Sequence, residues 1–341
     1  MEINLISDTV TKPSIEMLKA MFESSVGDDV FKQDPTVNEL EHYVAELFGM
    51  EAALFFPSGT MANQTALKLH TQPGEQIICD KYSHIFLYEG GGASFNSGVS
   101  CCLVDGKRGM ITADLVKNAI NDPENFHLPL TALVSIENTT NKGGGACYEI
   151  EDLEKIKQVC IDNKLKYHLD GARLWNALIA KNQNPKQYGA LFDTISICLS
   201  KGLGAPVGSL LVSDAATIKK AMRIRKIFGG GMRQAGYLAG AGLYALKNNL
   251  NRLTDDHRRA KELGAVLSTL SWIEKVENIE TNIVIFQVKS FLTESEVIEK
   301  LKQKNILIIS MGQGKLRMVT HLDYREVMHT YVIDALTKMN F

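Results

Sequence analysis

The sequence predicts an α/β fold: a large domain on a mainly parallel, seven-stranded sheet covered by helices on both faces, then a smaller C-terminal α+β domain. Three observations predict it. Short, continuously apolar runs alternate with helix-length segments up to Ala245, the pattern of strands buried on both faces. Polar and glycine-rich residues fall just past several of these runs, where ligands sit in such sheets. Beyond Ala245 the alternation gives way to one long helical stretch and three further apolar runs.

Taken in order, "DPTVNELEHYVAELFG" reads as a helix with a start and a stop. Thr36 and Glu39 have capping-box spacing. Val37, Leu40, Val44, Leu47 and Phe48 fall on one face, and Gly49 is placed to cap the end. The strands are "AALFF" from Ala52, "QIIC" from Gln76, "VSCCLV" from Val99, "TALVSI" from Thr131, "KYHL" from Lys166, "TISICL" from Thr194 and "GSLLV" from Gly208. Segments of helical length, such as Ile150 to Asn163, lie between most of them. A helix from Leu253 to Ser271 then leads to "NIVIFQV", "ILIIS" and "KLRMVT".

At 341 residues, 45% hydrophobic and 22% charged, the chain buries a sizeable core. A net charge of -2 gives no general attraction to nucleic acid or an anionic membrane. The opening "MEINLISDTV" carries an early acid and no long apolar run, and "ILII" is far too short to span a bilayer. A cytoplasmic protein is expected. Cys79, Cys101, Cys102, Cys147, Cys160 and Cys198 form no CxxC pair, which predicts reduced, mostly buried thiols. HExxH, Walker and GxGxxG motifs are absent, which removes the commonest zinc-protease, nucleotide and dinucleotide readings.

The chemistry gathers at the strand ends. After "AALFF", Ser58, Gly59 and Thr60 open a helix, and a small-residue turn at a helix N-terminus suits a phosphate. Alone, it reads equally as an ordinary Ser/Thr cap. Asp170 ends "KYHL" and Arg173 opens the next helix. The two fit a plain ion pair; alternatively, Asp170 holds a proton on a heterocyclic nitrogen and Arg173 grips a carboxylate with two parallel hydrogen bonds. Lys201 follows "TISICL" among glycines that let a backbone approach a ligand closely. A lysine there is a candidate for a Schiff base rather than a snorkelling surface residue. Phosphate cup, aspartate and lysine, in that order on one parallel sheet, are what pyridoxal 5'-phosphate (PLP) requires.

The motifs "LISDTVTKP", "GDDVFKQDPT", "FFPSGTMANQ", "YSHIFLYEGGG", "SIENTTN", "HLDGARLWNA", "LSKGLGAPVGS", "FGGGMRQAG" and "KLRMVTHLD" run in order through nearly the whole chain. With them the chain resembles the low-specificity L-threonine aldolases, fold type I PLP-dependent enzymes of the β-eliminating lyase group. The resemblance implies that Lys201 carries the cofactor and Asp170 faces its pyridine nitrogen. It implies that His84 stacks on the ring and assists proton transfer, and that Ser58, Gly59 and Thr60 hold the phosphate. Ser7, Arg173 and Arg317 match groups that hold the substrate carboxylate, and His127 matches a histidine near the substrate hydroxyl. Lys226 and Arg233 match residues that reach the cofactor phosphate of a neighbouring subunit, so a dimer-built site within a homotetramer is expected. Thr9 and Thr11 raise a structural cation nearby. Phe31 stands where the family commonly has Tyr, and Thr140 where it commonly has His. The implied organisation is an N-terminal segment, 1–13, contributing to the site, a PLP-binding domain, 14–248, and a small domain, 249–341.

The reaction implied is retro-aldol cleavage of a β-hydroxy-α-amino acid to glycine and an aldehyde. β-Elimination and transamination share the same aspartate and lysine, because fold and cofactor do not fix reaction type. A regulatory PLP-binding protein would need a DNA-binding appendage, and no helix-turn-helix or basic tail is present.

Overall fold

The computed structural model describes residues 2–341. Its centre is a seven-stranded sheet of β2 (Ala52–Phe56), β3 (Gln76–Asp80), β4 (Ser100–Val104), β5 (Thr131–Glu137), β6 (Lys166–Gly171), β7 (Thr194–Cys198) and β8 (Ser209–Ser213), with β1 (Ile3–Asn4) lying outside it. The order across the sheet is β2-β8-β7-β6-β5-β3-β4. Only β8 is reversed, pairing antiparallel with both β2 and β7. The other strands therefore deliver their carboxyl ends to one edge. All of β3, β7 and β8 is buried, as expected of a sheet covered on both faces.

The helix expected after Asp34 runs Pro35–Phe48, with Val37, Leu40, Val44 and Phe48 fully buried and Leu47 half-buried. The Thr36–Glu39 capping box does not form. Pro35 has no N–H to donate and takes the first helical position, which moves the cap to Asp34. Asp34 accepts from Val37 N at 3.0 Å, while the Thr36 hydroxyl donates to Ser25 O at 2.6 Å. Gly49 ends the helix with φ 61°, a conformation that costs glycine nothing. Helix Gly236–Asn248 packs on helix Ile15–Phe22, and Gly240 lies against Ser24 and the carbonyl of Ala20, where a side chain would not fit.

A second, antiparallel sheet consists of β9 (Ile273–Val276), β10 (Ile283–Val288), β12 (Ile309–Gly312) and β13 (Lys315–Val319), in the order β12-β13-β10-β9. β9 is a four-residue edge strand whose Glu274 and Lys275 are exposed, so it shows no apolar run in the sequence. "ILIIS" is two strands rather than one. Ile306–Leu307 forms β11 and pairs in parallel with Ile3–Asn4, while Ile309 onward joins the antiparallel sheet. Early residues are thus welded to late ones, and Ile3 and Leu5 share a core with Val284, Phe286 and Leu316.

Candidate active site

Ser7, His84, Glu137, Arg173, Lys201 and Arg317 all face one cavity of about 320 Å³ at the carboxyl edge of the large sheet. Residues of β12 and β13 close its far side.

Lys201 lies in the connection between β7 and β8. Gly204, at φ 82°, turns the chain back, and its N–H donates to Lys201 O at 2.9 Å. Thr11 Oγ1 donates to the same carbonyl at 2.8 Å and to Asp8 O at 3.0 Å. Lys201 Nζ approaches Cys198 Sγ at 3.4 Å. On the other side of Cys198 stands Gly59, where a Cβ would come within 2.7 Å of the same sulfur. Ser58 caps the helix Gly59–His70, its Oγ accepting from Met61 N at 3.2 Å. The small-residue turn and the lysine are therefore neighbours across one cysteine.

Asp170 ends β6 behind the cavity, 2% exposed. It accepts from Ala172 N at 3.1 Å and from Asn63 Nδ2 at 2.8 Å. Its register partner on β5 is Glu137, which accepts from His84 N at 2.9 Å and Asn141 N at 2.5 Å. Burial, and then the charge of Asp170, push the Glu137 carboxyl up to about 7. His84 Nδ1 lies 2.9 Å from Glu89 Oε1. Burial alone would lower the imidazole pKa. The Glu89 bond and the charges of Asp170, Glu89 and Glu137 outweigh it, and His84 titrates above the ordinary histidine value.

The two arginines meet at Asn141. Arg317 Nη1 donates to Asn141 Oδ1 at 3.0 Å and Arg173 Nη1 reaches the same oxygen at 3.4 Å. The fork of Arg173 holds Asp8: Nε and Nη2 donate to its two carboxylate oxygens, each at 2.7 Å. That leaves Nη1 as the group Arg173 turns toward the cavity. Burial would raise the Asp8 carboxyl, but the guanidinium holds it down at about 2. Burial, and then the like charge of Arg173, lower the pKa of Arg317, whose Nε is buried without a partner. A site with such a donor is short of an anion.

Several residues singled out in the sequence lie elsewhere. His127 is exposed, its ring on Phe126 at 4.0 Å. Lys226 is exposed, and Arg233 donates to Asp28 Oδ2 at 2.8 Å while lying 6.0 Å from the Phe31 ring. Phe31 itself is 68% exposed. Thr140 is buried beside Gly109 and Gly143, outside the main cavity. The hydroxyls of Thr9 and Thr11 donate within the protein, Thr9 to Ser7 Oγ at 2.9 Å. Conversely, Asp8, Asn63, Glu89, Glu137 and Asn141 carry the site's polar framework without having been singled out. All five lie inside the quoted motifs; position at a strand end was the available signal for Glu137, and nothing local marked Asn63.

The Beta-eliminating lyase family profile matches residues 4–290. The low specificity L-threonine aldolase of Escherichia coli (strain K12) is 42% identical over 322 residues, 94% of each chain. A probable low-specificity L-threonine aldolase 2 of Arabidopsis thaliana is 39% identical, over 99% of this chain and 97% of its own. The solved structure of Leishmania major threonine aldolase superposes with a TM-score of 0.85 at 21% identity, over 98% of this chain and 99% of that one. With identity of this extent over almost its whole length, the chain belongs to the beta-eliminating lyase family, among the low-specificity L-threonine aldolases.

Proposed function

We propose that this protein cleaves L-threonine, L-allo-threonine and related β-hydroxy-α-amino acids to glycine and an aldehyde, with PLP as cofactor. The observation that carries the reading is one cavity in which Lys201 faces two convergent arginines and His84, with Asp170 buried behind them.

The residues fit the cofactor. Gly59 leaves no space for a side chain beside Cys198, the helix start at Ser58–Thr60 offers donors to a phosphate, and Asp170 is an acceptor at the right edge. Lys201 would hold the aldehyde, Ser58, Gly59 and Thr60 the phosphate, and Asp170 the pyridine nitrogen. When bound, PLP supplies an electron sink for the pair released as the Cα–Cβ bond breaks.

The chain's own groups do the rest. Arg317 Nε and Nη1, Arg173 Nη1 and Ser7 fix the substrate carboxylate and with it the orientation of the Cα–Cβ bond. His84 keeps Nδ1 on Glu89, so Nε2 is the atom it offers to the β-hydroxyl proton. As the aldehyde leaves, the proton taken up by His84 balances the one delivered to Cα, and Lys201 is the amine placed to release glycine. Lys226 and Arg233 are exposed and so accessible to a neighbouring subunit of a homo-oligomer, a tetramer by resemblance, while His127 is assigned to the substrate hydroxyl by resemblance alone. No helix is long and apolar enough to cross a membrane among the described residues; we place the enzyme in the cytoplasm.

The test is product analysis with the PLP-loaded protein on L-threonine and L-allo-threonine. Equal release of glycine and acetaldehyde, lost in Lys201→Ala, is expected. Release of ammonia and an oxo acid instead, or no release from protein with cofactor on Lys201, overturns the reading.

A further inference from the structure

Beneath the cavity a single amide holds two buried carboxylates. Asn63, on the inner face of helix Gly59–His70, donates through Nδ2 to Asp170 Oδ2 at 2.8 Å and to Glu89 Oε1 at 2.9 Å. Glu89 also accepts from Gln64 Nε2 at 2.6 Å and from His84 Nδ1 at 2.9 Å. Asn63 itself is 3% exposed, and its orientation is set from behind. Its Oδ1 accepts from Ser196 Oγ at 2.5 Å and faces His168 Nε2 at 3.3 Å.

The two carboxylates only accept, which turns Nδ2 toward them and leaves Oδ1 to face Ser196 and His168. Burial drives the His168 pKa down to about 4, so the ring is neutral and carries one proton. Two acceptors compete for that proton: Asn63 Oδ1, 3.3 Å from Nε2, and the Thr194 carbonyl, 3.2 Å from Nδ1. His168 Nδ1 also lies 2.9 Å from the Thr194 hydroxyl, which in turn lies 3.0 Å from His70 Nε2. The Asn63 amide therefore has one orientation open to it, fixed by the carboxylates to which it donates.

We propose that Asn63 is a positioning residue that donates to Asp170 Oδ2, so that the proton Asp170 shares with the cofactor's ring nitrogen stays on the ring, and that ties Asp170 to the Glu89–His84 pair. The proposal rests on the reading of Asp170 as the partner of the cofactor's pyridine nitrogen. A hydrogen bond to a carboxylate favours its charged form, and a buried carboxylate that loses a donor becomes more basic. Without Asn63, Asp170 keeps only the Ala172 N–H. The proton shared between Asp170 and the ring nitrogen then moves toward Asp170, and the ring becomes a weaker electron sink. Substrate binding, which uses Arg173, Arg317 and Ser7, is separate from this network. The charged and titratable groups around it are Glu89, Asp170, His84, Glu137 and His168.

The test loads the protein with PLP labelled with nitrogen-15 in the ring and follows the ring-nitrogen resonance in wild type, Asn63→Leu and Ser196→Ala. The second variant removes only the hydroxyl that orients Asn63, and serves if the first does not fold. A protonated ring in wild type is expected, with a shift toward the unprotonated value in both variants, larger in Asn63→Leu. For L-threonine, Asn63→Leu should lose at least about ten-fold in kcat, a factor worth about 1.4 kcal/mol in a barrier, with KM little changed. An unprotonated ring in wild type, or one resonance shared by all folded forms, overturns the proposal. Glycine release with unmoved resonances overturns it while leaving the cleavage reading intact. Shifted resonances without glycine release support the positioning role and overturn the cleavage reading.

Discussion

Asp8 and Arg173 face each other inside the protein through two parallel hydrogen bonds of 2.7 Å. Both side chains are buried, at 0% and 6% exposure. The pair joins the N-terminal segment to the helix after β6, and Asn282 adds a bond to Asp8 Oδ2 at 3.2 Å from the antiparallel sheet. Removing one partner leaves a buried charge unanswered. Asp8→Ala is expected to cost about 3–5 kcal/mol in unfolding experiments. The folded carboxyl lies at about 2, below its ordinary value of 3.8. The contribution is therefore full above 3.8 and lost as the pH falls through about 2. A stability gap between wild type and variant that does not narrow in acid would contradict this.

Gly59→Ala should loosen the cofactor. The new Cβ would stand 2.7 Å from Cys198 Sγ, which itself touches Lys201 Nζ at 3.4 Å. Cys198 is 6% exposed, so it has little room to yield. Equilibrium dialysis is expected to show PLP affinity lower by about ten-fold, equal to about 1.4 kcal/mol. Unchanged affinity would mean that the turn and the lysine are not coupled through the sulfur.

Asn141→Ala removes the oxygen on which Arg173 and Arg317 converge. Hydrogen bonds to charged groups contribute about 1.5–3 kcal/mol each. With the arginines free to part, KM for L-threonine should rise at least about ten-fold, while kcat falls less. Steady-state kinetics decide, and an effect on kcat alone would place Asn141 in the chemistry rather than in binding.

Glu137 gives a pH signature to the cofactor-free protein. Its folded carboxyl lies at about 7 against an ordinary value of 4.5, raised first by burial and then by Asp170. Between those two values the folded state binds the extra proton, so this group's contribution to stability falls as the pH rises. Urea midpoints compared on either side of that window should show the fall in wild type and not in Glu137→Gln. Parallel profiles would show that Glu137 titrates normally.

Most strands of the large sheet were legible because burial makes each a continuous apolar run bounded by polar residues; β4, on the sheet edge with no buried residue, was legible from its apolar composition alone. β9 was not, because its Glu274 and Lys275 face solvent on a sheet edge. The break in "ILIIS" was hidden because both halves are apolar while their pairing partners lie far apart in the chain. Lys201, Asp170 and the Ser58 turn could be read from strand ends alone. The bond between Asp8 and Arg173 spans 165 positions and leaves no local mark. The burial of Arg225 is hidden for the same reason. The residue sits in a basic stretch that looks like a solvated face, yet it is buried, donating to Phe55 O at 2.6 Å and Asp29 Oδ2 at 2.8 Å.

The pairing of Ile3–Asn4 with Ile306–Leu307 has a bearing on biosynthesis. Ser7 reaches the cavity soon after the first of these strands, and Arg317 reaches it from β13, which follows the second. During translation the large sheet has all its strands once Ser213 has emerged. Its carboxyl edge then already carries Asp170 and Lys201, but Ile3 has nothing to pair with until the ribosome has delivered Ile306. The nascent chain thus passes through a stage with a place for the cofactor and none for the substrate. Catalysis waits for the last hundred or so residues, about 5–20 s of synthesis at ordinary elongation rates.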